Sequence, residues 1–448
     1  MLPSFSSSSI LGFPVLTVSI FSVALGGLLV LLFFSDYIWK KRAEVRAIAN
    51  PDTKATTQKT SRPSQKKTHL KHHQLTAEKD QVKRHHPLDV NTLKGHGDTV
   101  SGLCFSSNGR NLATACADGV ARLFRLDDAC SKSFKFLRLN LPAGNLPVAV
   151  AFAEEASSLV VATQALTGSS LYMYGDLTPK PTSEAKLQQQ QKLPLPQIKW
   201  EHHKVHEKRN ILTLSGATSS YGAADGSTII ASCSEDTDII LWHGKSGKVL
   251  GTVDTNQLRN TMAAISPNGR FLAAAAFTAD VKVWEILYSK DGSVKELTKV
   301  MQLKGHKSAV TWLCFTPNSE QIITTSKDGS MRIWNINVRY HLDEDPKALK
   351  VFPIPLRDAK GSTLLYDHIS ISPDGKILAA THGSTLQWLC VETGNVLNTA
   401  DKAHEGDITG ITWSPQPIPL GGGLATILAT AGTDKKVKLW EAPKLQSM

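Results

Sequence analysis

The clearest hydrophobic pattern in the chain lies between Leu303 and Trp334. Val310 to Phe315 is apolar, aromatic and β-branched, which predicts a strand. Thr316-Pro317-Asn318-Ser319 follows as a turn, because Pro and Asn suit the central positions of a type I turn. Gln321 to Ser326 predicts a second strand. Lys327-Asp328-Gly329 predicts a tight hairpin turn, since Asp-Gly supplies positive φ at little cost. Ser330 to Trp334 predicts a third strand. Gly305-His306 stands before the unit and Ile333-Trp334 closes it.

The same unit recurs along the chain. A third strand ending in an aromatic or large apolar residue beside an aliphatic one is found at Leu123-Phe124, Met173-Tyr174, Leu241-Trp242, Val283-Trp284, Ile333-Trp334, Trp388-Leu389 and Leu439-Trp440. Successive ends are 50, 68, 42, 50, 55 and 51 residues apart. A repeat of about 40–50 residues, each with a few short strands, predicts a propeller, here with seven blades, and absorbs most of the chain in one domain. The second and sixth units are degenerate. Too few residues follow Trp440 to build a fourth strand, so Leu88 to Leu93 is expected to supply it from the N-terminal side. That pairing closes the ring and removes two exposed edges.

The repeated His and Asp residues are the first candidates for chemistry. The hairpin Asp appears as Asp118, Asp236, Asp280, Asp328 and Asp434, and the preceding His as His96, His306 and His404, with His206 a looser match. The pattern resembles the WD-repeat family. In that family the His, a Ser two before the Asp, the Asp and the Trp form a buried hydrogen-bond relay inside one blade. The resemblance assigns that structural role to His306, Ser326, Asp328 and Trp334. A buried His and Asp must find partners, which a relay provides. In the first unit Cys116 and Phe124 replace Ser and Trp, and in the last Gly432 replaces Ser, so the relay is expected to be interrupted there.

Ahead of the repeats, Ile10 to Phe34 runs for 25 residues without a charge. A membrane-crossing helix needs about 20. Tyr37 and Trp39 follow at interface depth, then Lys40, Lys41, Arg42 and Arg46. The positive-inside rule puts that flank in the cytoplasm. A cleaved signal peptide is disfavoured: the residues before Ile10 carry no Lys or Arg, the apolar run is too long, and no A-x-A-like site follows. The expected organisation is a transmembrane helix over 10–34, a flexible basic linker over 35–87, and a propeller over 88–448.

The net charge of +11 belongs mostly to the linker. Between Lys40 and His86 there are thirteen Lys/Arg and four Asp/Glu. The segment is too polar to fold alone. It reads as a solvated tether in contact with anionic lipid, or as a contact for RNA or the ribosome. After Trp39 it has no aromatics on which bases could stack. None of the six cysteines forms a CxxC pair, and the linker histidines lack a Cys or carboxylate frame, so neither zinc nor another cofactor is expected.

Long insertions fall at Leu177–Lys199, Tyr288–Val300, Tyr340–Leu356, Ser219–Ser227 and Pro417–Gly423. In the WD-repeat fold these loops open on one face, so that face is the expected binding face, while the face carrying the Asp turns is expected to have short loops.

One string is more particular than a generic blade. Asp254 to Ile286 reads D-T-N-Q-L-R-N-T-M-A-A-I-S-P-N-G-R-F-L-A-A-A-A-F-T-A-D-V-K-V-W-E-I. It resembles the transducin beta-like 2 family of membrane-anchored WD-repeat proteins. The resemblance implies residence in the endoplasmic reticulum membrane, a cytosolic propeller and a part in stress signalling. Nucleophile–base pairs, phosphate loops and metal spacings are lacking, so the expected function is a non-enzymatic scaffold that binds other proteins and no small-molecule substrate. Alternatives are a nucleotide exchange factor for a small GTPase, and a ribosome- or RNA-associated adaptor working through the linker. The exchange-factor reading is weakened by an anchor that precedes the propeller. A cullin-ligase receptor would carry an Arg shortly after the terminal Trp, which W-N-I-N, W-E-I-L and W-E-A-P lack.

Overall fold

The computed structural model describes residues 86–154, 156–177, 196–206, 209–218, 228–289 and 293–445. The anchor expected over 10–34, with its flank Tyr37, Trp39, Lys40, Lys41 and Arg42, lies outside the described residues, as does the linker up to residue 85. Among the described residues no helix is long and apolar enough to cross a membrane.

Seven antiparallel four-stranded sheets follow one another. In blade 5 the strands are Val310–Phe315, Gln321–Ser326, Ser330–Asn335 and Lys347–Pro353. Blades 1 to 4 and blade 6 open with Val100–Phe105, Leu146–Glu154, Ile211–Thr218, Asn260–Ile265 and His368–Ile371. Each first strand packs on the first strands of both neighbouring blades, blade 7 on blade 1 included, so the sheets form a closed ring. Blade 7 combines Ile408–Trp413, Ile427–Gly432 and Val437–Glu441 with Asp89–Leu93 from the other end of the propeller. Thr92 pairs with Lys438 and Leu93 with Val437, and Lys438 Nζ lies 3.2 Å from Asp89 Oδ2. The closing strand is thus where the hydrophobic pattern placed it.

The core is divided among the gaps between blades. Leu93, Phe124, Ile427 and Leu439 fill the gap between blades 7 and 1. Met262, Val283, Leu313 and Trp334 fill that between blades 4 and 5. Burial from both sides explains the second strands. Phe271–Ala276 is buried at every position and shows no alternation, because a neighbouring sheet covers each face. Its four alanines keep the layers close.

The insertions are less loop-like than their lengths suggest. Third and fourth strands of blade 4 extend to Tyr288 and from Val294, and these two residues pair, so most of Tyr288–Val300 is sheet. Tyr340–Leu356 contains a 3-10 turn, Tyr340–Leu342, and the outer strand of blade 5. Tyr340 clips this segment to blade 4 by donating to Glu285 (2.6 Å) and accepting from Arg270 (2.7 Å). Pro417–Gly423 includes half of a hairpin, Ile418–Leu420 paired with Gly423–Ala425. Residues 178–195 and 219–227 lie outside the described set. The Asp-turn face is not uniformly short-looped: 354–367 between blades 5 and 6 is a long connection, stitched by an Arg357–Thr363 bridge.

Candidate interaction face

The relay of blade 5 runs through Thr324. Trp334 Nε1 donates to Thr324 Oγ1 (2.8 Å), which meets His306 Nε2 (2.8 Å), and His306 Nδ1 meets Asp328 Oδ2 (2.9 Å). A neutral imidazole protonated on Nδ1 satisfies every link, with donors pointing in order from indole to carboxylate. Burial lowers the His306 pKa and outweighs the pull of Asp328. Burial would raise Asp328, but hydrogen bonds from Ser330, the Lys307 N–H and His306 hold it well below the usual carboxylate range. Ser326, expected as the link, is not in this chain. Its hydroxyl donates to Ser308 O (2.9 Å) and accepts from the Asp328 N–H (3.2 Å), which fixes the turn.

Two further relays follow the same plan. In blade 7, His404 joins Asp434 (2.9 Å) and Thr430 (2.8 Å), and Trp440 donates to Thr430 (2.8 Å). Gly432 therefore does not interrupt it. In blade 3, His206 meets Asp238, not Asp236, and shares Ser232 Oγ with Trp242 at 2.9 Å each. Blade 1 is the broken one. Arg122 takes Asp118 at 2.6 Å, Phe124 has no donor, and His96 keeps only Thr114 (3.0 Å). Burial, aided by Arg122, lowers His96 to about 4. The hydroxyl stands ten residues before the indole in all three complete relays, a spacing that was available in the sequence.

Each relay ties the loop entering a blade to the hairpin turn beside it, so the Asp-turn face is held from beneath. Blade 4 has no such His and uses the particular string instead. Thr255 Oγ1 donates to Asn260 Oδ1 (3.0 Å), and Asn260 Nδ2 reaches Ser234 O (3.4 Å). Gln257 Nε2 donates to Thr278 Oγ1 (3.0 Å), and Lys282 Nζ to Thr255 O (2.5 Å). Asn256 takes φ 46°, a conformation asparagine tolerates. Thr255, Gln257 and Asn260 of D-T-N-Q-L-R-N-T thus turn inward, Asp254, Asn256 and Arg259 face solvent, and Leu258 is left 64% exposed and Phe277, on the adjoining turn, 44%. Lys327 Nζ lies 4.9 Å from the Phe277 ring centre and the Arg259 guanidinium 5.8 Å. Arg259 also pairs with Glu235. Neither composition nor motif spacing marks Leu258 or Phe277. The signal was a large apolar residue inside a turn, where nothing can bury it.

On the opposite face the seven first strands end around an axial cavity of about 580 Å³, walled by Phe105, Phe152, Phe315, Ile371 and Trp413 with prolines between them. Cys104 and Cys314 stand in its wall, and burial pushes their thiols up to about 11 and about 12. The chain enters the propeller on this side: His86 stacks on Trp388, with ring centres 5.7 Å apart. Among the described residues no three His, Cys, Asp or Glu side chains converge as metal ligands.

Closed ring, four-stranded blades and His–hydroxyl–Trp relays define a seven-bladed WD-repeat propeller. Residues 88–125, 297–335 and 394–441 match the "WD domain, G-beta repeat" family. Over most of its length the chain is similar to Transducin beta-like protein 2: 28% identical to the Homo sapiens protein across 84% of this chain and 78% of that one. The Mus musculus protein is 28% identical across 83% and 79%. A shorter stretch, 34% of this chain, is 30% identical to Ribosome biogenesis protein YTM1 of Pyricularia oryzae, covering 32% of that protein.

Proposed function

We propose that this chain is a membrane-tethered scaffold whose propeller gathers protein partners on the cytosolic side of the endoplasmic reticulum, in a stress-signalling setting. The apolar run Ile10–Phe34 and its basic flank support the anchor and its orientation. Compartment and setting rest on the resemblance to the transducin beta-like 2 family. One observation carries the interaction role: Leu258 and Phe277 are held into solvent by loops pinned from beneath by the Thr255–Asn260 and Gln257–Thr278 hydrogen bonds. Large apolar side chains fixed outward on a rigid frame suit protein binding, because little ordering entropy remains to be lost. Tethering adds effective concentration for any two partners held together.

Proximity labelling with the full-length chain tests this reading. The expected outcome is a set of cytosol-facing neighbours that thins when Leu258→Ser and Phe277→Ser are combined and disperses when 10–34 is deleted. An unchanged set in both variants sinks it. The +9 linker between Lys40 and His86 favours a second reading, ribosome or RNA contact. Deletion of 54–84 that leaves salt-sensitive sedimentation with ribosomes unaltered ends that one.

A further inference from the structure

We infer that the Leu258–Phe277 patch binds an acidic segment of a partner protein, one in which Asp or Glu residues flank a large apolar side chain. The inference rests on the scaffold reading above and gives its partner a chemistry. The apolar part of the patch is small and isolated, so it suits one or two inserted side chains and not a flat domain. Its surroundings carry the charge argument. Lys327 and Arg259 both lie close to the Phe277 ring centre, at 4.9 and 5.8 Å. Lys304 and Lys307 are exposed on the loop entering blade 5. Beyond them the long connection 354–367 leans on the same turn, since Ile354 N donates to Gly329 O (2.9 Å), and it exposes Arg357 and Lys360.

The acidic groups of this arc hold local partners, and Asp254, exposed on the Leu258 loop, accepts from the Asn256 N–H (2.9 Å). Asp328 serves His306, Asp280 accepts from Gln302 (2.8 Å), and Asp358 accepts from the backbone of Lys360 and Ser362. Glu235 is paired with Arg259, and a carboxylate from a partner could replace it there at the rim. Across the ring acidic groups outnumber basic ones among the exposed residues of the same face: Asp98, Asp367, Asp401, Glu405 and Asp407 against Lys94, Lys402 and Lys435. A face basic on one side and acidic on the other orients an approaching acidic segment toward blades 4 and 5 and repels it from blades 6 and 7. The Phe277 ring, with two cations close to it, supplies the apolar contact and the flanking charges in one place.

The test is selection of short random displayed peptides on the full-length chain in nanodiscs of neutral lipid. The expected winners carry Asp or Glu around Leu, Phe or Trp. A synthetic winner is expected to bind more weakly at higher salt, and to lose about tenfold in Kd, about 1.4 kcal/mol, with Phe277→Ser and again with Lys327→Glu. Asp401→Lys, on the acidic side, is expected not to weaken it. Both patch residues are exposed, so unchanged thermal melts are expected and separate lost binding from lost folding. Enrichment of neutral or basic peptides, no enrichment, or winners indifferent to Phe277→Ser overturns the inference. So does a patch that takes up phosphatidylserine vesicles or an RNA oligonucleotide, in a Phe277-dependent way, while refusing acidic peptides. If peptide selection fails but proximity labelling still depends on Leu258 and Phe277, the scaffold reading stands and only the partner chemistry falls.

Discussion

His306 and Trp334 meet on a single hydroxyl: Thr324 Oγ1 lies 2.8 Å from both the imidazole Nε2 and the indole Nε1. Both rings are buried, at 7% and 2% exposure, so neither can turn to water if that hydroxyl is lost.

Thr324→Val keeps the shape and removes the bridge. It is expected to destabilise the propeller by about 1–3 kcal/mol for each buried group left without a partner. Ser326→Ala, which loses only turn contacts, is expected to cost less. Denaturant melts of the two variants compare them directly. A larger loss for Ser326→Ala would return the bridging role to the serine.

The choice between these two residues shows where the sequence stops being legible. Thr324 and Ser326 lie two apart on one strand, hence on the same face, and alternation cannot separate them. Register does. Ile322 stands opposite Trp334 and Thr324 opposite Arg332, so the long indole reaches diagonally to residue 324. Blade 3 keeps the same register, and its partner is Asp238 instead of Asp236 because an acid stands at the start of the strand, where blade 5 has Ser330. The blade count and the closing strand were legible because they depend on buried edges, which apolar residues mark. The exposed patch was not, because a lone surface Leu or Phe is ordinary until its loop is known to be rigid.

Acid should weaken the fold through two buried histidines, His96 and His306, and the partly buried His368. His96 and His368 are both lowered to about 4 by burial, and His306 is lowered as well. Between their folded values and the unfolded value near 6.5, the unfolded chain binds the extra protons. Stability is therefore full above about pH 6.5 and falls by about 1.4 kcal/mol per pH unit for each such group as pH drops toward 4. His368, stacked edge-on against Trp312 at 4.6 Å, is a clean probe. His368→Gln is expected to flatten part of the slope in melts taken from pH 7 to 5. An unchanged slope would show that this imidazole titrates alike in the folded and the unfolded chain.

Closure predicts a strong effect far from any loop. Leu93 is fully buried between the last and first blades, on the strand that joins the two ends of the propeller. Leu93→Ala is expected to cost about 2–5 kcal/mol. It is also expected to expose the junction of blades 7 and 1 to protease before the other blades. Uniform digestion across the ring would mean the closing strand is not the weak seam.

The last pair of substitutions separates frame from face in blade 4. Asn260 is 1% exposed and holds the loop through Thr255 and Ser234 O. Asn260→Ala orphans groups inside the fold and is expected to cost about 1–3 kcal/mol. Leu258→Ser removes a side chain that touches mostly solvent and is expected to stay within about 0.5 kcal/mol of the parent. If the loop exists to present Leu258, both variants lose partner labelling, but only Asn260→Ala lowers the melting temperature. Were Leu258→Ser to destabilise the chain as much as Asn260→Ala, Leu258 would be packing against something, and the patch would be part of the fold and not its interaction face.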